Sequence, residues 1–369
     1  YPATIFNAAW WGVAVAMAAA FSQTIYGLRK AVIDIRKLGQ YTLEEKLGEG
    51  GMGVVYRASH AMLRRPTAIK LLLPDRAGKE SLTRFEREVQ RTAMLTHPNT
   101  VTVYDYGRTT EGVFYYAMEL LEGVTLEEIV RIDGPQPEER VIHLLEQAAA
   151  SLAEAHGAGL IHRDIKPGNI IVVDRGGIAD LVKVLDFGLV KDVGYKERDG
   201  APLETALTRA DAITGTPLYI APETVTDPED VDARTDLYAL GAVGYWLLTG
   251  THVFGGKSVL EVCGHHLHST PEPPSRRLGR PVAGDLEAVI LACLAKRPED
   301  RPASAHVLRE RLSECAAAGR WTQARASEWW TLHRSKPRAG ESRSAAMAGP
   351  VAVGTEEGAA TLTVTRLAD

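Results

Sequence analysis

His162-Arg163-Asp164-Ile165-Lys166-Pro167-Gly168-Asn169 decides the reading of this chain. One short segment holds a carboxylate, an ammonium and a carboxamide, broken by a Pro-Gly pair. Asp186-Phe187-Gly188 follows and adds a second carboxylate. Carboxylate and amide oxygens are the hard ligands that Mg2+ prefers, so Asn169 and Asp186 read as a magnesium pair. Asp164 then reads as the group that accepts or orients the proton of a hydroxyl, and Lys166 as the charge that neutralises a phosphoryl group in transfer. A surface loop would not need this set of side chains in this order.

Upstream, Gly48-Glu49-Gly50-Gly51-Met52-Gly53-Val54-Val55 fits G-x-G-x-x-G-x-V, with glycines that let backbone approach phosphates closely. A dinucleotide fingerprint shares the glycine spacing but needs a helix next, whereas Val54 to Ala58 continues as a strand. A Walker loop would end in Gly-Lys-Ser/Thr, which is absent. The run therefore reads as a strand–loop–strand over phosphates. Thr67-Ala68-Ile69-Lys70 ends a third strand on a lysine able to reach phosphates. Glu88, in Phe85-Glu86-Arg87-Glu88-Val89, is preferred over Glu86 as its partner.

With Ala221-Pro222-Glu223 the set is complete, and from Tyr41 to Leu312 the chain resembles bacterial Hanks-type (eukaryotic-like) serine/threonine protein kinases, transmembrane members in particular. The resemblance implies an α+β, bilobal fold with a β-rich small lobe and an α-helical large lobe. It also implies transfer of the γ-phosphate of ATP to serine or threonine hydroxyls of proteins, with Mg2+, or Mn2+ in its place. Catalytic roles fall on Asp164, Lys166, Lys70 and Glu88, and metal binding on Asn169 and Asp186. ATP would meet Leu47, Gly48, Glu49, Gly50, Gly51, Met52, Gly53, Val55, Ala68 and Lys70, with Met118 as gatekeeper and Glu119 and Leu121 offering hinge backbone groups. Asp236 would steady the catalytic loop, and Arg301 would pair with Glu223; both are structural. Thr208 and Thr214 are the preferred phosphorylation sites of the activation segment. Thr216, in Gly215-Thr216-Pro217, matches the substrate side of the serine/threonine form. The alternative is a pseudokinase that binds ATP as a scaffold, but such proteins normally lose Lys70, Asp164 or Asp186.

Local patterning supports the two-lobe order. Short β-rich runs occupy Tyr41 to Leu47, Gly53 to Ser59, Pro66 to Leu72, Val101 to Arg108 and Gly112 to Leu120, with a helical stretch from Lys79 to Leu95 between them. After Glu122 the periodic segments are helical: Thr125 to Ile132, Glu138 to Ala158, Asp236 to Leu248, Asp285 to Leu294 and Ala303 to Glu314. Trp321, Trp329 and Trp330 are expected to pack a short C-terminal helix on the large lobe. Cys263, His265, His266 and His268 complete no known ligand spacing and read as part of a surface helix.

Among the chain's 369 residues the formal net charge is −5, so there is no basic field for nucleic acid. An odd number of cysteines, Cys263, Cys293 and Cys315, without a Cys-x-x-Cys pair points to a reducing compartment. Residues 1–40 read as a transmembrane helix followed by a juxtamembrane helix, 41–312 as the kinase domain, and 313–369 as an extension disordered after about 336. The stretch Ile5 to Tyr26 is uncharged and long enough for a bilayer, which takes roughly 20 residues. Arg29, Lys30, Arg36 and Lys37 then place the downstream chain in the cytoplasm of a bacterium, beneath its inner membrane. An alanine-rich helix of a soluble domain is the alternative, and a start at Tyr1 suggests a longer gene product. Ile25, Leu28, Val32, Ile35 and Leu38 form a helical stripe that could pair with a second copy, as trans-autophosphorylation by a homodimer would need, or simply pack on the domain.

Overall fold

The structure is a computed structural model and describes residues 37–50, 53–72, 86, 88–109, 113–187, 217–228 and 231–334. The small lobe is one antiparallel sheet of six strands: β1 (Lys37–Leu38), β2 (Tyr41–Gly50), β3 (Gly53–His60), β4 (Pro66–Leu72), β5 (Val103–Arg108) and β6 (Phe114–Glu119). Their order across the sheet is β1-β2-β3-β4-β6-β5. The expected strands are all there. Leu38 corrects the expected stripe: it pairs with Tyr41 in the sheet and is buried beside Tyr41, Ala58 and Ile69, so the end of the stripe is strand rather than helix. The rest of the stripe and the expected span from Ile5 to Tyr26 lie outside the described residues. Among the described residues no helix is long and apolar enough to cross a membrane.

Strand alternation sorts side chains onto two faces. Ile69, Tyr115 and Ala117 join the outer apolar cluster with Leu38 and Tyr41, whereas Ala68, Phe114, Tyr116 and Met118 join the cluster on the opposite face. The register sets Val55 against Lys70, Lys70 against Tyr116 and Ala68 against Met118, so glycine-loop strand, lysine and gatekeeper strand lie side by side. At Gly53 a β-carbon would stand 1.9 Å from the Leu71 carbonyl oxygen, so no other residue fits there.

The large lobe begins at α1 (Leu126–Asp133), whose N-terminus is closed by a reciprocal Thr125–Glu128 capping box and whose end is set by Gly134. Its core is built around α2 (Glu138–Gly157) and α4 (Arg234–Thr249), the latter buried along almost its whole length and stopped by a left-handed Gly250. Short α3 (Pro222–Thr226) precedes α4; α5 (Val259–His268), α6 (Pro274–Leu278), α7 (Gly284–Cys293) and α8 (Ala305–Ser313) complete the layer. At Gly241 a β-carbon would come within 2.5 Å of the Cys293 Cβ, which is how closely α4 and α7 approach. The last helix among the described residues, α9 (Gln323–Arg334), brings Trp329 and Trp330 into the core of the large lobe, as expected of these tryptophans.

Sequence patterning does not assign one element that matters for the site. β7 (Gly123–Thr125), β8 (Ile170–Arg175) and β9 (Ile178–Val184) form a second antiparallel sheet in the order β7-β8-β9. The catalytic stretch is the connection from α2 into β8, and β9 leads straight into Asp186.

Candidate active site

The loop from His162 to Asn169 is held by a buried carboxylate beneath it. Asp236 accepts the N–H of His162 at 2.8 Å on one oxygen and that of Arg163 at 2.8 Å on the other, and meets His156 Nε2 at 2.8 Å. Burial works against its charge, yet the His156 contact and the loop N–H groups hold it below the usual carboxylate range. Asp236 therefore steadies the loop, as expected. Arg163 takes a left-handed backbone, φ 63°, which costs energy for a side-chain-bearing residue and is sustained by these bonds.

His162 links this loop to the next. Its Nε2 donates to the Leu185 carbonyl at 2.6 Å, and its Nδ1 accepts the Asp164 N–H at 3.2 Å, which fixes the tautomer. Its ring packs at 4.8 Å on the buried Phe187. The Leu185 N–H donates to the Asn169 carbonyl at 2.9 Å. Asn169 and Asp186, far apart in sequence, are thereby brought to adjoining positions at the mouth of the β8–β9 hairpin.

Asp164 is addressed from two sides. Lys166 Nζ donates to its Oδ2 at 2.8 Å, and Asn169 Nδ2 donates to the same oxygen and to the Asp164 carbonyl, each at 2.8 Å. With its amide nitrogen committed to Asp164, Asn169 has its amide oxygen as the atom that could coordinate a cation. That oxygen and the Asp186 carboxylate are hard donors suited to Mg2+, and the site fits the ion on its own chemistry.

Asp186 itself sits at φ 56° and joins the lobes. Lys70 Nζ stands 2.6 Å from its Oδ2, and the Tyr116 hydroxyl donates to its Oδ1. Burial opposes its ionisation, and the Lys70 ammonium outweighs that and keeps it below the ordinary range. The ion pair described for Lys70 is thus with Asp186, whereas the sequence reading set Lys70 against Glu88. Glu86, the competing choice, turns outward to Arg108 at 2.8 Å. Glu88 lies half-buried in the helical stretch 88–93.

On the inner face of the small-lobe sheet, Val55 and Leu121 pack on the cluster that contains Ala68 and Met118. Met118, read from the resemblance as the gatekeeper, is buried and pairs with Ala68 across the sheet. Glu119 has its N–H on the Thr102 carbonyl and its carboxylate on Lys183 and Arg175, both at 2.7 Å, so its carbonyl is what it can offer a base. Leu47 is exposed and Glu49 pairs with Lys46 at the rim, with Gly48 and Gly50 in the same strand. Gly51, Met52, Thr208, Thr214 and Thr216 lie outside the described residues.

Three further pairings were not foreseen. Lys183 and Arg175 tie the Glu119 side chain to β9 and to the end of β8, and Tyr116 reaches Asp186. The signal available for Tyr116 was its period-two alignment with Met118. By contrast, Arg301 meets Glu223 as anticipated, through two parallel bonds of 2.6 and 2.7 Å, with its remaining donors on backbone carbonyls.

Known proteins bear on this geometry. The family profile described as "Protein kinase domain" matches residues 41–312. Serine/threonine-protein kinase pkn3 of Myxococcus xanthus is 40% identical over 277 residues, covering 74% of this chain and 49% of that protein. Serine/threonine-protein kinase PknB of Mycobacterium tuberculosis is 40% identical over 274 residues, 73% of this chain and 42% of that one. The chain thus matches about half the length of these relatives or less. Among solved structures, the kinase domain of Mycobacterium tuberculosis PknI superposes with a TM-score of 0.57 at 27% identity, over 75% of this chain and 96% of that one.

Proposed function

Because this chain belongs to the protein kinase domain family, we propose that it transfers the γ-phosphate of Mg-ATP to serine or threonine hydroxyls of proteins. The observation that carries this reading is Asp164, held by Lys166 and Asn169 beside Asp186. When bound, the magnesium ions neutralise the phosphate charge. Asn169 and Asp186 would hold them. Lys70 would bind the α- and β-phosphates, and Glu88 would orient that lysine. Asp164 orients the acceptor hydroxyl and takes its proton, while Lys166 offsets charge on the transferring group. Val55, Ala68, Met118 and Leu121 enclose the base. Thr216 positions the acceptor side. Nothing favours the pseudokinase alternative, since Lys70, Asp164 and Asp186 are all present.

The test is incubation of the purified chain with labelled ATP, Mg2+ and a protein acceptor, with phosphosites mapped by mass spectrometry. Lys70→Met, Asp164→Asn and Asp186→Asn should each lower turnover by orders of magnitude with the melting temperature kept, as expected for groups acting together on one transition state. Near-normal turnover by Asp164→Asn would overturn the assignment.

The uncharged run from Ile5 to Tyr26 and the basic residues after it support anchoring in a bacterial inner membrane, with the kinase domain in the cytoplasm and a second copy available for phosphorylation in trans. Recovery of the full chain in the soluble fraction would remove this reading.

A further inference from the structure

Tyr116 occupies a place that the phosphoryl-transfer roles leave unused. It lies directly opposite Lys70 in the β4–β6 pairing, on the face that also carries Met118. Its ring is buried at 1% exposure among Ala68, Val89, Phe114 and Met118, so the hydroxyl is delivered by a platform with little freedom. That hydroxyl donates to Asp186 Oδ1, while Lys70 holds Oδ2. The two cross-strand neighbours thus grip the two oxygens of one carboxylate.

We propose that Tyr116 is a positioning residue for the metal-binding carboxylate of Asp186. The inference rests on the reading of Asp186 as a magnesium ligand. Lys70 and Tyr116 differ in what competes for them. An ammonium is drawn to nucleotide phosphates as soon as they enter, whereas a neutral phenol gains no comparable partner from a polyanion. Once Lys70 is engaged by phosphate, the hydroxyl is the described contact that still fixes the rotation of the carboxylate. Asp186 needs such a hold, since its left-handed backbone, φ 56°, is one that aspartate can adopt and does not by itself fix the rotation of the carboxylate. A donor to a ligating carboxylate orients it, and loss of such an outer contact typically costs ~10–100-fold in metal affinity.

The experiment compares wild type, Tyr116→Phe and Asp186→Asn. Two readouts are taken: the Mg2+ concentration giving half-maximal phosphorylation, and the affinity of a fluorescent non-hydrolysable ATP analogue with Mg2+ and with EDTA. Tyr116→Phe keeps the ring and removes only the donor. It should raise the half-saturating Mg2+ by about 10-fold. Turnover should be recovered at high Mg2+, and analogue affinity in EDTA should be unchanged. A merely structural tyrosine would move both affinities together or neither. An unchanged or lowered Mg2+ requirement overturns the proposal, provided that Asp186→Asn abolishes the Mg2+-dependent part of analogue binding. If Asp186→Asn keeps that part, it is the reading of Asp186 that fails. Melting curves accompany each protein, and Tyr116→Leu, which also lacks the donor, repeats the comparison should the phenylalanine variant unfold.

Discussion

His266 shows what a single buried group contributes. It has no exposed surface, its Nδ1 is 2.8 Å from the Tyr238 hydroxyl, and its ring packs edge-on against Phe254. Lys296 donates to its carbonyl at 2.7 Å and adds positive charge beside it. Burial, with Lys296 in support, pushes its pKa down to about 4. The folded state therefore keeps His266 neutral where the unfolded chain binds a proton. Stability is complete above about pH 6.5, declines as pH falls, and is lost through about pH 4; the full difference is on the order of 3 kcal/mol. His97, His143 and His252 are likewise lowered by burial and add to the same slope, so the comparison must be with a variant. Urea titrations at pH 7 and pH 5 should show a smaller loss for His266→Gln than for wild type; equal losses would refute this role. The same residue marks a limit of sequence reading. Cys263, His265, His266 and His268 lie on α5, but only Cys263 and His266 face the core. The residues proposed as catalytic could be named from the sequence because their chemistry sits in contiguous runs. Tyr116 was not, because its contact depends on strand register and on where Asp186 returns.

At the scale of elements, α9 has a particular seat. The buried Asp180, at φ 55° in β9, receives Arg140 Nε at 2.8 Å and Nη2 at 3.1 Å, and also the indole N–H groups of Trp321 at 2.9 Å and Trp330 at 2.8 Å. The Arg140 guanidinium stacks 4.1 Å from the Trp329 ring centre, and Gln323 pairs with the backbone of Ala179 in both directions. A buried ion pair persists only with its remaining hydrogen bonds filled, and here the helix fills them. Because β9 runs into Asp186, α9 supports the strand that leads to the proposed metal ligand. Trp330→Phe should cost about 1.5–3 kcal/mol, the usual loss of a bond to a charged group. Truncation after Glu314, close to where the family match ends, should lower the melting temperature further. A truncated protein as stable as the full chain would refute the seat. The tryptophans announced a packed helix, since large aromatics are seldom left in water. Their target could not be read, because Arg140 and Asp180 look like ordinary surface charges in sequence and the β8–β9 hairpin hides in an apolar run broken by Gly176-Gly177.

Over the whole molecule, the lobes are joined by polar contacts that converge near β9: Glu119 on Lys183 and Arg175, Val101 and Asn99 on Val184, and Lys70 on Asp186. The activation segment begins near Phe187, buried under His162, and ends near Glu223, clamped by Arg301, both in the large lobe. Arg163 directly precedes Asp164 in the loop. Its Nε is buried, and among the described residues it has no hydrogen-bond partner and no carboxylate pairs with it. A buried guanidinium donor left open costs stability, so an incoming acceptor is favoured there. Phosphate suits it best, since it carries about −1.5 to −2 charges and binds arginine through paired oxygens. Between Asp186 and Glu223 the hydroxyl candidates are Tyr195, Thr205, Thr208, Thr214, Thr216 and Tyr219, of which Thr208 and Thr214 are preferred and Thr216 is reserved for the acceptor side. A second copy of the kinase is expected to transfer that phosphate from ATP. Phosphatase-treated enzyme should then start slowly and accelerate as it modifies itself, with a lag that shortens at higher enzyme concentration. The Thr208→Ala, Thr214→Ala double variant should stay slow throughout, and Arg163→Ala should remove the acceleration while phosphate still accumulates on the threonines. Full activity of the double variant from the first minute, with no lag, would show that the segment needs no phosphate to order the site.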